Sequence, residues 1–81
     1  MANNLVKVFW EDALIYKGLS SGLTLARKMS RGELVKEKDY VVIKEPITSI
    51  YNKREKVYIP DGKKHAFLFV PKGMIRKIVR S

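Results

Sequence analysis

The chain has 81 residues, seventeen Lys+Arg against eight Asp+Glu, a net charge of +9 and no cysteine. That length allows a single domain, residues 1–81, with a thin core, and the missing thiols exclude disulfides and thiolate metal sites. The 46% hydrophobic content argues against wholesale disorder, and the positive excess favours a polyanionic partner, nucleic acid before an anionic membrane surface.

Met1-Ala-Asn-Asn lacks the basic start of a signal peptide, and Lys7 breaks the apolar run Leu5–Trp10. No window approaches the roughly 20 apolar residues of a membrane span, so the expectation is a soluble cytoplasmic protein with no membrane partner. Leu5–Trp10 is β-branched and aromatic and predicts a strand. Glu11-Asp12 reads as a polar turn and Ala13–Lys17 as the returning strand of a hairpin.

From Leu23 to Arg31 the pattern turns helical. Leu25, Ala26 and Met29 form one apolar stripe, and Arg27, Lys28 and Arg31 suit the C-terminal end of a helix dipole. Ser20 and Ser21 are good N-cap residues and Gly32 a natural residue just past the end. Leu34-Val35 reads as a short extended piece and Lys36–Asp39 as a charged turn. Tyr40–Lys44 predicts a strand that Pro46 ends or bends, and Ile47–Tyr51 continues extended.

Asn52–Glu55 makes the next turn. In Lys56–Ile59 the alternation points Val57 and Ile59 inward and Lys56 and Tyr58 outward. Pro60-Asp61-Gly62 is a turn, because Pro fixes φ and Gly supplies a positive φ. Lys64–Val70 has Ala66, Leu68 and Val70 on one face and His65, Phe67 and Phe69 on the other, which predicts a central strand. In Met74–Arg80, Ile75, Ile78 and Val79 favour a short helix, with a closing edge strand as the alternative. The fold class expected is therefore α+β. It comprises an N-terminal hairpin, one packed helix, three or four further strands in a mostly antiparallel sheet, and a short C-terminal helix.

Enzyme chemistry finds few footholds. One histidine, His65, and scattered carboxylates make neither a metal set nor a nucleophile–base pair, and no H-x-x-H, H-E-x-x-H or D-x-D spacing occurs. Gly18 and Gly22 are explained by turn and capping geometry, since no G-K-[ST] follows them. The expectation is a non-catalytic protein with no cofactor, no metal and no small-molecule substrate.

Charge is the stronger signal. Residues 1–51 carry eight basic and six acidic side chains, whereas residues 52–81 carry nine and two. Lys53, Arg54, Lys56, Lys63, Lys64, Lys72, Arg76, Lys77 and Arg80 are the candidate phosphate contacts, with Tyr58 as an aromatic neighbour. Lys64–Val70 resembles the RNP1 motif of RNA-recognition motifs in the alternation of Phe67, Phe69 and Val70. It lacks that motif's glycine, and Pro71 interrupts it, so Phe67 and Phe69 read as core.

Asn is sparse and Gln and Cys are absent among many charges, which is a thermophile tendency. The run Asp39–Pro46, then Ile50-Tyr-Asn52, then Phe67–Gly73 resembles small proteins of thermophilic, crenarchaeal archaea. The overall design is similar to small basic archaeal ribosomal proteins. The resemblance implies a ribosome-associated RNA-binding protein with ribosomal proteins as neighbours. Two alternatives stand beside it: a DNA-binding chromatin or viral regulatory protein, and a protein-interaction module that recruits a strand to an exposed β edge.

Overall fold

The computed structural model describes residues 4–15 and 23–80, with side chains described for residues 4–12 and 26–80. Six strands follow one another: β1 (Leu5–Ile15), β2 (Leu23–Glu37), β3 (Tyr40–Asn52), β4 (Val57–Pro60), β5 (Phe67–Pro71) and β6 (Ile75–Arg80). A 3₁₀ turn, Lys72–Met74, links β5 to β6. All pairings are antiparallel, in the order β4-β3-β2-β1-β6. The long β3 gives its C-terminal half to β4 and its N-terminal half to β5. The last strand therefore returns to the first, β6 against β1.

The core lies on the face enclosed by this curl. Val6, Val8 and Trp10 alternate along β1 and meet Val41 and Ile43 of β3 and Val70 of β5. Val8, Val41, Ile43 and Val70 are fully buried. Each contributes on the order of 1.5–3 kcal/mol relative to exposure. Leu34, Leu68, Met74, Ile75 and Ile78 pack around them half-buried. At the centre the Trp10 Nε1–H donates to Ser30 Oγ at 3.0 Å, and that hydroxyl pairs with Thr48 Oγ1 at 2.7 Å. Three neighbouring strands are thus joined by one buried polar chain.

The sheet curls through bulges. The register of β2 on β3 shifts between Arg31 and Glu33 and again between Leu34 and Lys36. Glu45 takes φ 49° at the first shift, and its N–H donates to the Ala66 carbonyl at 2.8 Å. Gly32 is opposite this bulge. A Cβ there would approach Ile43 Cγ2 at 2.6 Å and the Lys44 carbonyl oxygen at 2.8 Å, so only glycine lets the backbones close. Pro46 bends β3 without ending it and is buried.

The turns follow their side chains. Asn52 Oδ1 accepts from the N–H groups of Arg54 and Glu55, which sets the 53–56 turn, and Lys56 closes it at φ 58°. Asp61 Oδ1 accepts from Lys63 N–H, and Gly62 sits at φ 74°.

The α+β expectation is overturned: the described residues form an antiparallel sheet with one 3₁₀ turn and no α-helix. The expected helix Leu23–Arg31 is the first part of β2. Its enclosed face carries Ala26, Lys28 and Ser30, so the alternation is real but polar, and Trp10 supplies the partner that Ser30 needs. Glu11-Asp12 is not a turn, because β1 runs on to Ile15 and pairs with β2 to its end. Ala13–Ile15 of the expected returning strand therefore belong to β1, while Tyr16, Lys17, Gly18, Ser20, Ser21 and Gly22 lie outside the described residues. Residues 75–80 form the closing strand rather than a helix, because β1 offers an open edge and Ile75 and Ile78 turn toward the core.

Two inside–outside expectations also reverse. Val57 and Ile59 are exposed while Tyr58 is half-buried between Phe9 and Tyr51. In β5, Leu68 and Val70 turn inward, but Phe67 and Phe69 are 49% and 61% exposed. Among the described residues β5 pairs with β3 alone, so it is an edge strand rather than the central strand expected from its two apolar faces.

Candidate nucleic-acid interface

The strand register gathers aromatic side chains on the outer face of the sheet. Phe9 lies opposite Met29, Met29 opposite Ser49, and Tyr51 opposite Tyr58. The sheet's twist brings the Phe9 and Tyr58 rings edge to face, with centroids 5.9 Å apart. Tyr51 and Tyr58 sit 5.2 Å apart and tilted by 58°. Phe9, Tyr51 and Tyr58 are each half-buried and so keep accessible ring surface.

Cations lie beside rings on both faces, Arg27 against Tyr51 outside and Lys28 against the buried Trp10. The Arg27 guanidinium lies 6.0 Å from the Tyr51 centroid, and Lys28 Nζ lies 5.2 Å from the Trp10 ring. Phe9, Trp10, Tyr58, Arg27, Lys28, Arg76 and Lys77 together line a groove of about 450 Å³. A bulge builds its rim. The register of β1 on β6 shifts between Phe9 and Trp10, which face Lys77 and Ile75, and leaves Arg76 unpaired in the ladder. Arg76 reaches Glu11, and this hydrogen bond and charge raise its pKa above the ordinary guanidinium value. Lys28 pairs with Asp12 at 3.2 Å. Arg27 and Lys77 make no ion pair among the described residues. The groove thus holds two cations paired with carboxylates and two, Arg27 and Lys77, that make no ion pair among the described residues, with Arg27 lying beside Tyr51.

The ten residues singled out from the sequence do not form one patch. Tyr58, Arg76 and Lys77 come together in this groove. Lys53, Arg54 and Lys56 occupy the exposed β3–β4 turn. Lys63 and Lys64 follow β4 and, with His65, border a separate hollow of about 400 Å³ beside Pro46 and Ile47. Lys72 and Arg80 both turn to Glu37, at 3.7 Å and 2.6 Å. The Arg80 hydrogen bond foremost holds the Glu37 carboxyl below the usual carboxylate range.

Arg27, Lys28, Phe9 and Trp10 were missed because they belong to the half of the sequence with nearly balanced charge. The signal was present in Arg27-Lys28 and Phe9-Trp10, but only the β1–β2 register places the two pairs side by side. Among the described residues no group of three or more His, Asp or Glu side chains is placed to hold a metal ion. No helix of the described residues is long and apolar enough to cross a membrane. No protein-family model, curated protein or solved structure matches the chain.

Proposed function

We propose that this chain is a non-catalytic nucleic-acid-binding protein that takes single-stranded or looped RNA in the Phe9–Tyr58 groove. The observation that carries the reading is the groove's composition, the half-buried rings of Phe9 and Tyr58, with Tyr51 beside them, among four cations. Aromatic faces accept unstacked bases of any identity, and the neighbouring cations meet phosphates. A duplex keeps its bases stacked and offers the rings nothing to stack against, so RNA loops and single strands are preferred over duplex DNA. A ribosome or another ribonucleoprotein is the setting that the resemblance to small basic ribosomal proteins implies.

The test is a titration with labelled single-stranded RNA at two salt concentrations, with duplex DNA as competitor. Three or four phosphate contacts give a slope of about −2 to −3 in log K against log salt. Tyr58→Ala weakens binding by about 1–3 kcal/mol while the protein stays folded. No binding at low salt, or binding indifferent to salt, sinks the proposal. Duplex DNA displacing the RNA at equal concentration moves it to the chromatin or regulatory alternative.

A second reading is favoured by β5, whose outer face exposes Phe67 and Phe69 and which pairs with β3 alone among the described residues. Strand addition there makes the chain a protein-interaction module. It predicts a complex in native lysate whose sedimentation survives nuclease.

A further inference from the structure

On the outer face, one step along the sheet from the groove, two cations stand against each other. Lys7 of β1 is directly opposite Arg31 of β2. Directly opposed side chains in an antiparallel pair sit about 5 Å apart at Cβ, and like charges at that spacing destabilise the sheet. Neither side chain makes an ion pair among the described residues. Each is exposed, and together with Leu5, Val6, Gly32 and Ile47 they line a hollow of about 340 Å³. Glu45 also borders that hollow, and Glu33 lies opposite Leu5 on the neighbouring rung, yet neither closes on the two cations.

The contrast two rungs further along the same face is informative. Two residues beyond Phe9, Glu11 is opposite Arg27, a pairing of opposite charges. The same two strands therefore place unlike charges across one rung and like charges across another.

Resting on the nucleic-acid reading, we infer that Lys7 and Arg31 form a phosphate seat for the backbone of the strand whose base occupies the groove. Lys7 is two residues along β1 from Phe9, about 7 Å. That is a span one nucleotide's sugar–phosphate unit can bridge. A phosphate between the two cations converts their repulsion into attraction to a shared anion. The seat reads charge and not base identity, so it serves RNA and single-stranded DNA alike.

Charge reversal separates this role from a structural one, because the two effects have opposite signs. Lys7→Glu creates a cross-strand pair with Arg31, which raises the melting temperature by roughly 1–6 °C. The same change lowers affinity for a 12-nucleotide single-stranded RNA and for its DNA counterpart. It also flattens the slope of log K against log salt by about 0.7 or more. Arg31→Glu is the mirror variant and gives the same two shifts. Lys38→Glu, in the β2–β3 turn, controls for net charge alone.

A rise in melting temperature with affinity lowered no more than in the control overturns the seat while leaving the groove intact. A fall in melting temperature overturns it too, because the pair would then not be a strained one. If the unaltered protein binds neither oligonucleotide at low salt, the groove reading fails and the seat with it.

Discussion

On the enclosed face of the sheet, Trp10, Ser30 and Thr48 satisfy one another and Val8, Val41, Ile43 and Val70 exclude water. On the outer face, Phe9, Tyr51 and Tyr58 are only half covered, and Arg27 and Lys77 stand beside them in the groove. Both faces use aromatic rings, and the difference lies in what completes them. Inside, Trp10 has a hydroxyl for its single donor and a lysine over its ring, and little of it is left to bind anything. Outside, the rings keep free surface, and Arg27 and Lys77 make no ion pair among the described residues. A side chain's type is therefore a poor guide to its role here, and the completeness of its contacts is a better one.

The sharpest way to separate the faces is to damage one and watch the other. Ile43→Ala removes a fully buried side chain at the bulge where Gly32 closes on β3. It should cost about 2–5 kcal/mol in urea unfolding, a large part of the total stability of a small domain. Affinity for RNA, measured well below the melting transition, should stay within twofold. A large loss of affinity in the folded variant would show that the two faces are coupled. Tyr58→Ala should behave in the reverse sense, with affinity lost and a smaller change in stability.

Ser30→Ala tests the polar chain inside. It strands the Trp10 Nε1–H in an apolar setting and takes a partner from Thr48. The expected cost is about 1–3 kcal/mol. The chain's one tryptophan reports it directly, because its fluorescence should change in the folded protein as well as the unfolding midpoint. A neutral outcome would mean that water replaces the hydroxyl, and the enclosed face would be less sealed than its burial implies.

The sequence made the strands Leu5–Trp10 and Tyr40–Lys44 legible through their apolar, β-branched content, and it marked the turns at Asn52–Glu55 and Pro60–Gly62; of the expected strand Lys64–Val70, only Phe67–Val70 lies in β5. It misled over Leu23–Arg31, where the enclosed positions are Ala26, Lys28 and Ser30 and the hydrophobic period is blurred. It misled again over Phe67 and Phe69, since two apolar faces suggest a buried strand and nothing local says that one stays open.

For the candidate site, a count of charge along the chain pointed to the C-terminal third. The fold carries Glu11 and Glu37 from the other end of the sequence to Arg76, Lys72 and Arg80, and so offsets part of that excess. Arg27, Lys7 and Arg31 gain their setting only from register, which composition does not encode.

The smallest expected effect concerns that redistribution. Glu37, at the end of β2, holds Arg80 of β6 at 2.6 Å and Lys72 of the 3₁₀ turn at 3.7 Å. It ties the strand that closes the sheet to the β2–β3 corner, far in function from the groove. The Arg80 hydrogen bond, the largest influence, lowers the Glu37 pKa from its ordinary value of 4.5. A carboxylate with a depressed folded-state pKa stabilises the fold above its unfolded pKa and loses that contribution as pH falls through the folded value. The melting-temperature gap between the unaltered protein and Glu37→Gln should therefore be constant above about pH 5.5 and close as pH falls below about 4.5. The gap should also shrink in 1 M salt, because the pairs are exposed and screened. RNA affinity at neutral pH should not fall in this variant, since it frees Lys72 and Arg80 without touching the groove. A fall would place the Glu37 cluster, and with it the β6 edge, inside the binding surface.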